Sequence, residues 1–127
     1  MRNYKNYEVW TESHDLVLFL YSHIAPNLPS NEIYGLTNQI KRAAYSIPFN
    51  IAEGCGRNSD KDFTHFLDIS MGSAHELEYG ISLINDLHFI NQEQFQILNK
   101  RINVIKAMLI NLIKSIRERR SKSSLPP

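Results

Sequence analysis

Near the C-terminal end, Phe95, Leu98, Ile102, Ile105, Leu109, Leu112 and Ile116 recur at alternating steps of three and four residues. A seam of this period over three heptads belongs to one face of a long helix that packs on other helices. Asn91 and Gln94 precede it with the spacing of a capping box, so a helix is predicted from about 92 to 118. Such a helix needs partners of comparable length.

The rest of the chain supplies them. Ser59 and Asp62 form a second box-like start, and Asp60 and Asp62 suit the positive end of a helix. Phe63, Phe66, Leu67, Ser70, Ala74, Leu77, Ile81 and Ile84 then follow at helical steps, predicting a helix over about 60–86. Its small residues, Ser70, Gly72, Ser73 and Ala74, predict a close approach by a neighbouring helix. Leu36, Ile40, Ala43, Ile47 and Ile51 mark a helix over about 31–54, and Leu16, Phe19 or Leu20, and Ile24 one over about 11–25. The connections PNLPS, GCGRNS and LHFIN are short, which makes consecutive helices antiparallel. No segment alternates with period two. The predicted fold class is all-α, an antiparallel up-down-up-down four-helix bundle forming one domain over 1–118, with 119–127 a flexible basic tail.

The segment SIPFNIAEGCGR, residues 46–57, places a proline inside the second helix. Pro48 removes the bond to the carbonyl of Ala44 and crowds it. The small side chain there and the continuing pattern through Ile51 predict one kinked helix, stopped by Gly54 and Gly56. Beside the apolar stripe runs a polar one: Gln39, Arg42, Ser46, Asn50, Glu53 and Arg57, at steps of 3, 4, 4, 3 and 4. Ser73, Glu76 and Gly80 run similarly on the third helix. These stripes are either solvated surface or a hydrogen-bonded seam between helices or subunits.

Composition narrows the function classes. The 127 residues are 43% hydrophobic and 21% charged, as in soluble globular domains. No apolar run approaches the roughly 20 residues of a membrane span, and MRNYKNYEVW lacks the apolar core of a signal peptide. The single cysteine, Cys55, has no internal partner and fits a reducing cytoplasm. Net charge is +1 but polarised: residues 1–99 hold 6 Lys/Arg against 12 Asp/Glu, and residues 100–127 hold 8 against 1.

Little in the sequence points to catalysis. A di-metal bundle needs carboxylates on facing helices and Glu-x-x-His on two of them. Here His65-x-x-Asp68 and His75-x-x-Glu78 are reversed and lie on one helix, so no metal or other cofactor is expected. Cys55 lies at a negative helix end with His65 as its nearest candidate partner, and no base-and-orienter set accompanies it. GCGRNS resembles a phosphate loop only superficially, because no strand precedes it and Asp60 and Asp62 already occupy the helix start. Tyr4 and Tyr7 suit anchoring of the N-terminal segment better than stacking on bases, and Trp10 is expected at the bundle end. The basic cluster Lys114, Arg117, Arg119, Arg120 and Lys122 has only Glu118 beside it. Acids of the third helix are expected to neutralise the 100–106 end and the middle of the fourth helix more readily than this cluster.

Three separated blocks carry a family likeness. VWTESHDL, EIYGLTNQIKRAAYSIPFNIAEGCGR and FLDISMGSAHELEY closely resemble, in order, the four-helix bundle proteins encoded within intervening sequences of bacterial 23S ribosomal RNA genes. The residues that fit include Gln39, Arg42, Ser46, Pro48, Asn50, Glu53, Gly54, Gly56 and Arg57, with Gly72, Ser73 and Glu76 in the third block. The resemblance implies ring-like homopentamers with a central channel and no established enzymatic activity. A related accessory protein of diversity-generating retroelements has a basic surface and is thought to engage a reverse transcriptase and nucleic acid. The resulting expectation is a non-enzymatic oligomer that contacts RNA or DNA through Lys114, Arg117, Arg119, Arg120 and Lys122. The alternative is a scaffold for a protein partner. In either case the motif stripe is expected to be structural, and surplus apolar residues on the fourth helix (Ile97, Val104, Met108, Ile110 and Ile113) motivate self-association.

Overall fold

In the computed structural model, which describes residues 2–123, four helices account for most of the chain. They are α1 (Glu8–Phe19), α2 (Leu36–Cys55), α3 (Asp60–Asp86) and α4 (Gln92–Ser123). No strand occurs among the described residues. Each helix packs on its neighbour in sequence, and α1 closes the bundle against α4. Cross-helix pairs fix the directions. Lys41 lies over Tyr21 and Ser46 meets Ser73, while Lys106 meets Glu78 and Arg119 meets Asp60. With Gln39 against Glu76 as well, rising numbers on α2 meet falling numbers on α3 and the same holds between α3 and α4, so these three helices run antiparallel in turn.

The core follows the predicted stripes. Leu16, Leu20 and Ile24 meet Ile40, Ile47 and Ile51 from α2. Phe63, Leu67, Leu77 and Ile81 from α3 and Leu98, Ile102, Ile105 and Leu109 from α4 complete it. All of these are at most 3% exposed. Burial of each such side chain contributes roughly 1.5–3 kcal/mol, which is what holds the four helices together.

Helix ends depart from expectation for local reasons. α1 begins at Glu8, ahead of residue 11, because Val9 is already buried, and it continues as a π-helical turn, Leu20–Ile24. α2 begins at Leu36, not 31. The Glu32 carboxylate accepts from the Leu36 N–H at 3.0 Å and caps the helix there, while Ser30–Glu32 forms a separate 3₁₀ turn. Gly54 does not stop α2. A methyl group on it would come within 3.0 Å of the Phe63 ring and of Phe66 Cβ, so the glycine permits α3 to cross closely. The helix ends at Gly56, whose φ of −80° is an ordinary right-handed value. Pro48 lies inside α2, which runs through it unbroken.

α3 has the span its pattern predicted. Its far end closes in a left-handed cap: His88 has φ 62°, and Phe89 N–H donates to Ile84 O at 2.9 Å. Asn91 and Gln94 then cap α4 reciprocally, at 2.9 and 2.8 Å. α4 runs past residue 118 to Ser123, so Arg119, Arg120 and Lys122 stand on a helix and not on a flexible tail. Arg117 and Arg119 pair with Asp68 and Asp60 and tie this end of α4 to α3. The remainder of the expected tail lies outside the described residues.

Candidate functional site

The conspicuous motif is largely a junction between α2 and α3. The hydroxyls of Ser46 and Ser73 share a hydrogen bond of 2.8 Å, and the Asn50 amide donates to Ser46 O at 2.8 Å and to its Oγ at 3.0 Å. Two turns earlier on α2, the Gln39 amide donates to Glu76 Oε1 at 3.2 Å. Ser70 donates to Ile47 O at 2.9 Å, completing the junction from inside. The stripe is thus a hydrogen-bonded seam between two helices of one chain along much of its length. Arg42 is different: it is exposed on the rim of a polar cleft of about 360 Å³ between Gln39, Tyr45 and Glu76. Gly72, expected to help a helix approach, faces outward, and a methyl group there would meet nothing within 4 Å. Close approach falls instead to Gly80, whose added methyl would come within 2.9 Å of Ile40.

At the lower end of the motif the chemistry changes. Glu53 accepts from Arg57 at 2.8 Å across one helical turn, and the Arg57 guanidinium lies over the Phe66 ring, 4.8 Å from its centre. Arg2, before α1, folds onto this corner. It donates to Arg57 O at 2.9 Å and to Asp60 Oδ1, with its guanidinium 4.5 Å from the centre of the Phe63 ring. Arg119 reaches Asp60 Oδ2 at 3.1 Å from α4. The hydrogen bond from Arg2, assisted by the one from Arg119, holds the Asp60 carboxyl below the usual carboxylate range. Three arginines from three distant parts of the chain therefore share one open cleft with Asp60, of about 590 Å³.

The basic cluster is partly neutralised, against expectation. Antiparallel packing sets the start of α3 beside the end of α4, so Arg117 pairs with Asp68 at 2.7 Å and Arg119 with Asp60. The expected partner region is served as well, by Lys106 and Glu78 at 3.0 Å. Lys114, Arg120 and Lys122 are exposed on the same end of α4.

Other candidates resolve into packing. Cys55 is 2% exposed, and burial raises its thiol pKa. Tyr4 meets Trp10 edge-on at 4.7 Å and Tyr7 meets Phe63 at 5.6 Å, so both anchor the N-terminal segment. Glu78 lies 3.9 Å from His75, and Lys106 also pairs with it. Among the described residues no three of His, Cys, Asp and Glu gather where one metal ion could be held. No helix among them is long and apolar enough to cross a membrane.

Two features escaped the sequence patterns. Arg2 carries no local signal, since its contacts are more than fifty residues away. Tyr45 and Phe49, off the main apolar stripe of α2, form an apolar groove with Trp10, His14, Val17 and Pro48, of about 320 Å³. Phe49 is 68% exposed there. By contrast the apolar surplus of α4 shrinks on folding: Ile113 is buried and Ile97 and Met108 are half-buried, leaving Val104 and Ile110 exposed.

An antiparallel bundle whose polar motif binds helix to helix, with arginines clustered at one end, defines a small all-helical module. The chain belongs to the 23S rRNA-intervening sequence protein family, whose model matches residues 5–111. It is similar to the crystal structure of a protein of unknown function from the S23 ribosomal protein family of Bacteroides thetaiotaomicron. The two are 27% identical with a TM-score of 0.77, over 84% of this chain and 95% of that one. None of the curated proteins matches the chain.

Proposed function

We propose that this chain is a non-enzymatic, oligomeric bundle that holds RNA or DNA through phosphate contacts at its basic end. The observation that carries the reading is the helicity of α4 through Ser123. Lys114, Arg120 and Lys122 then stand on one continuous helix, whose Arg119 meets Arg2 and Arg57 in the cleft at that end of the bundle. Contacts of this kind are tolerant of sequence and release counterions, so affinity falls steeply with salt. Self-association draws support from the open Tyr45–Phe49 groove, while the subunit number, five, comes from the family resemblance alone. An oligomer would repeat the basic end once per subunit and strengthen weak single contacts.

The test is RNA and DNA binding over a salt series, comparing the full chain with Lys114, Arg120 and Lys122 changed to Ala. Loss of affinity together with a shallower salt dependence supports the reading, and absence of binding by the full chain at low salt overturns it. Light scattering that gives a 14.7 kDa particle at micromolar concentration removes the oligomer. The apolar groove with Phe49 exposed favours a second reading, a scaffold that docks a protein partner there and uses no nucleic acid. Phe49→Ser then abolishes the partner's binding and leaves the bundle folded.

A further inference from the structure

We infer that the cleft between Arg2, Arg57 and Arg119 is a seat for a phosphate group, with Asp60 as its resident counter-ion. The inference rests on the nucleic-acid reading above and names one contact by which it would work.

Charge comes first. The three guanidinium groups face two carboxylates, Asp60 and Glu53, so the ion-paired set keeps one unit of positive charge. That excess selects an anion and rejects a metal cation. The cleft of about 590 Å³ is also open enough to admit a phosphate with its ester substituents. Its size lies within the roughly 300–1,000 Å³ usual for small-ligand sites.

Donor supply points to phosphate more narrowly. A guanidinium carries five N–H donors in a planar fork that matches the oxygens of phosphate. Arg119 spends one nitrogen on Asp60 and Arg57 one on Glu53, while Arg2 spends two, on Asp60 and on Arg57 O. Every one of the three thus retains donors for an incoming oxyanion. Asp60 already shows the geometry in miniature, since its two oxygens bridge Arg2 and Arg119 as two phosphate oxygens would.

Preorganisation is the third element. Arg2 and Arg57 rest on the rings of Phe63 and Phe66, at 4.5 and 4.8 Å, on successive positions of one α3 surface. Stacked guanidinium groups lose less freedom when they bind, so more of the contact energy survives as affinity. The Arg57–Glu53 pair is exposed and exchanges partners at little cost, while Asp60, partly buried between Arg2 and Arg119, stays in place as the counter-ion.

The experiment uses the full chain at constant ionic strength. Inorganic phosphate is titrated against chloride while the arginine side-chain ¹⁵N–¹H resonances are followed. A single-stranded RNA oligonucleotide is titrated in parallel by fluorescence anisotropy. The variants are Arg57→Ala, Arg119→Ala and Asp60→Asn, each checked by circular dichroism. Phosphate is expected to shift the Arg2, Arg57 and Arg119 resonances. Each arginine removal should weaken RNA binding and lower the salt slope by about one. Asp60→Asn should act in the opposite direction and tighten both ligands, because it removes the competing carboxylate. If phosphate shifts the cleft resonances but RNA does not bind, the seat stands for a small phosphorylated molecule and the nucleic-acid reading falls. If RNA binds and neither Arg57→Ala nor Arg119→Ala changes it, and phosphate shifts nothing, the seat is overturned while that reading survives. Weaker binding in Asp60→Asn also overturns the seat. Where Arg119→Ala fails to fold, Arg57→Ala and the phosphate titration decide alone.

Discussion

The hydroxyl of Ser70 on α3 donates to the carbonyl oxygen of Ile47 on α2 at 2.9 Å, one residue before Pro48. Ser70 is fully buried, so this bond stitches two helices together inside the core where the proline has already removed a rung of the α2 ladder. Removing the hydroxyl deletes the cross-link and leaves a small void. Ser70→Ala should lose about 1 kcal/mol of stability, read as a lower urea midpoint with an unchanged slope.

The glycines of the motif should respond with opposite signs. Gly54→Ala drives a methyl group to 3.0 Å from Phe63 and Phe66 and should cost about 1–3 kcal/mol. Gly72→Ala meets open space on an exposed helix face and should gain roughly 0.5–1 kcal/mol. Thermal melts of the two single variants check both directions at once.

His88 holds a left-handed backbone at φ 62° in the cap that ends α3. An L side chain pays roughly 1–2 kcal/mol for that conformation and glycine does not. His88→Gly should therefore raise the melting temperature by several degrees, with the helical circular dichroism unchanged. An unchanged or lower midpoint would show that the imidazole contributes something the backbone does not reveal.

Acid titration should single out Asp60. Its folded pKa is depressed, first by the hydrogen bond from Arg2. The stability it contributes is therefore complete above the unfolded value, about 3.9, and is lost as pH falls through the lower folded value. Asp60→Asn should flatten the stability profile below about pH 4, by under roughly 1 kcal/mol per ion pair removed. Urea midpoints at several acidic pH values provide the measurement.

The bundle is legible in the periodicity of the sequence. The seam from Phe95 to Ile116 lies within α4, and the Asn91–Gln94 box is made as its spacing implied. Such signals are local, confined to one turn or one helix face. The start of α2 was not legible because Glu32, outside the helix, supplies the cap. Gly54 reads in sequence as a helix stop, and only the neighbouring Phe63 reveals it as a point of close crossing. The cleft was the least legible part. Its three arginines are spread over more than a hundred residues, and packing alone brings Arg2 and Arg119 to the two oxygens of Asp60.

That shared carboxylate has a practical consequence for handling the chain. The segment before α1 and the last turns of α4 are neighbours in space, held on either side of one side chain. A short flexible linker between residues 2 and 123 should close the chain into a circle, and new termini opened at the His88 corner would give a permuted bundle with the same packing. A tag placed at the His88 corner would lie at the opposite end of the bundle from Arg2 and Arg119, which is where binding assays need it.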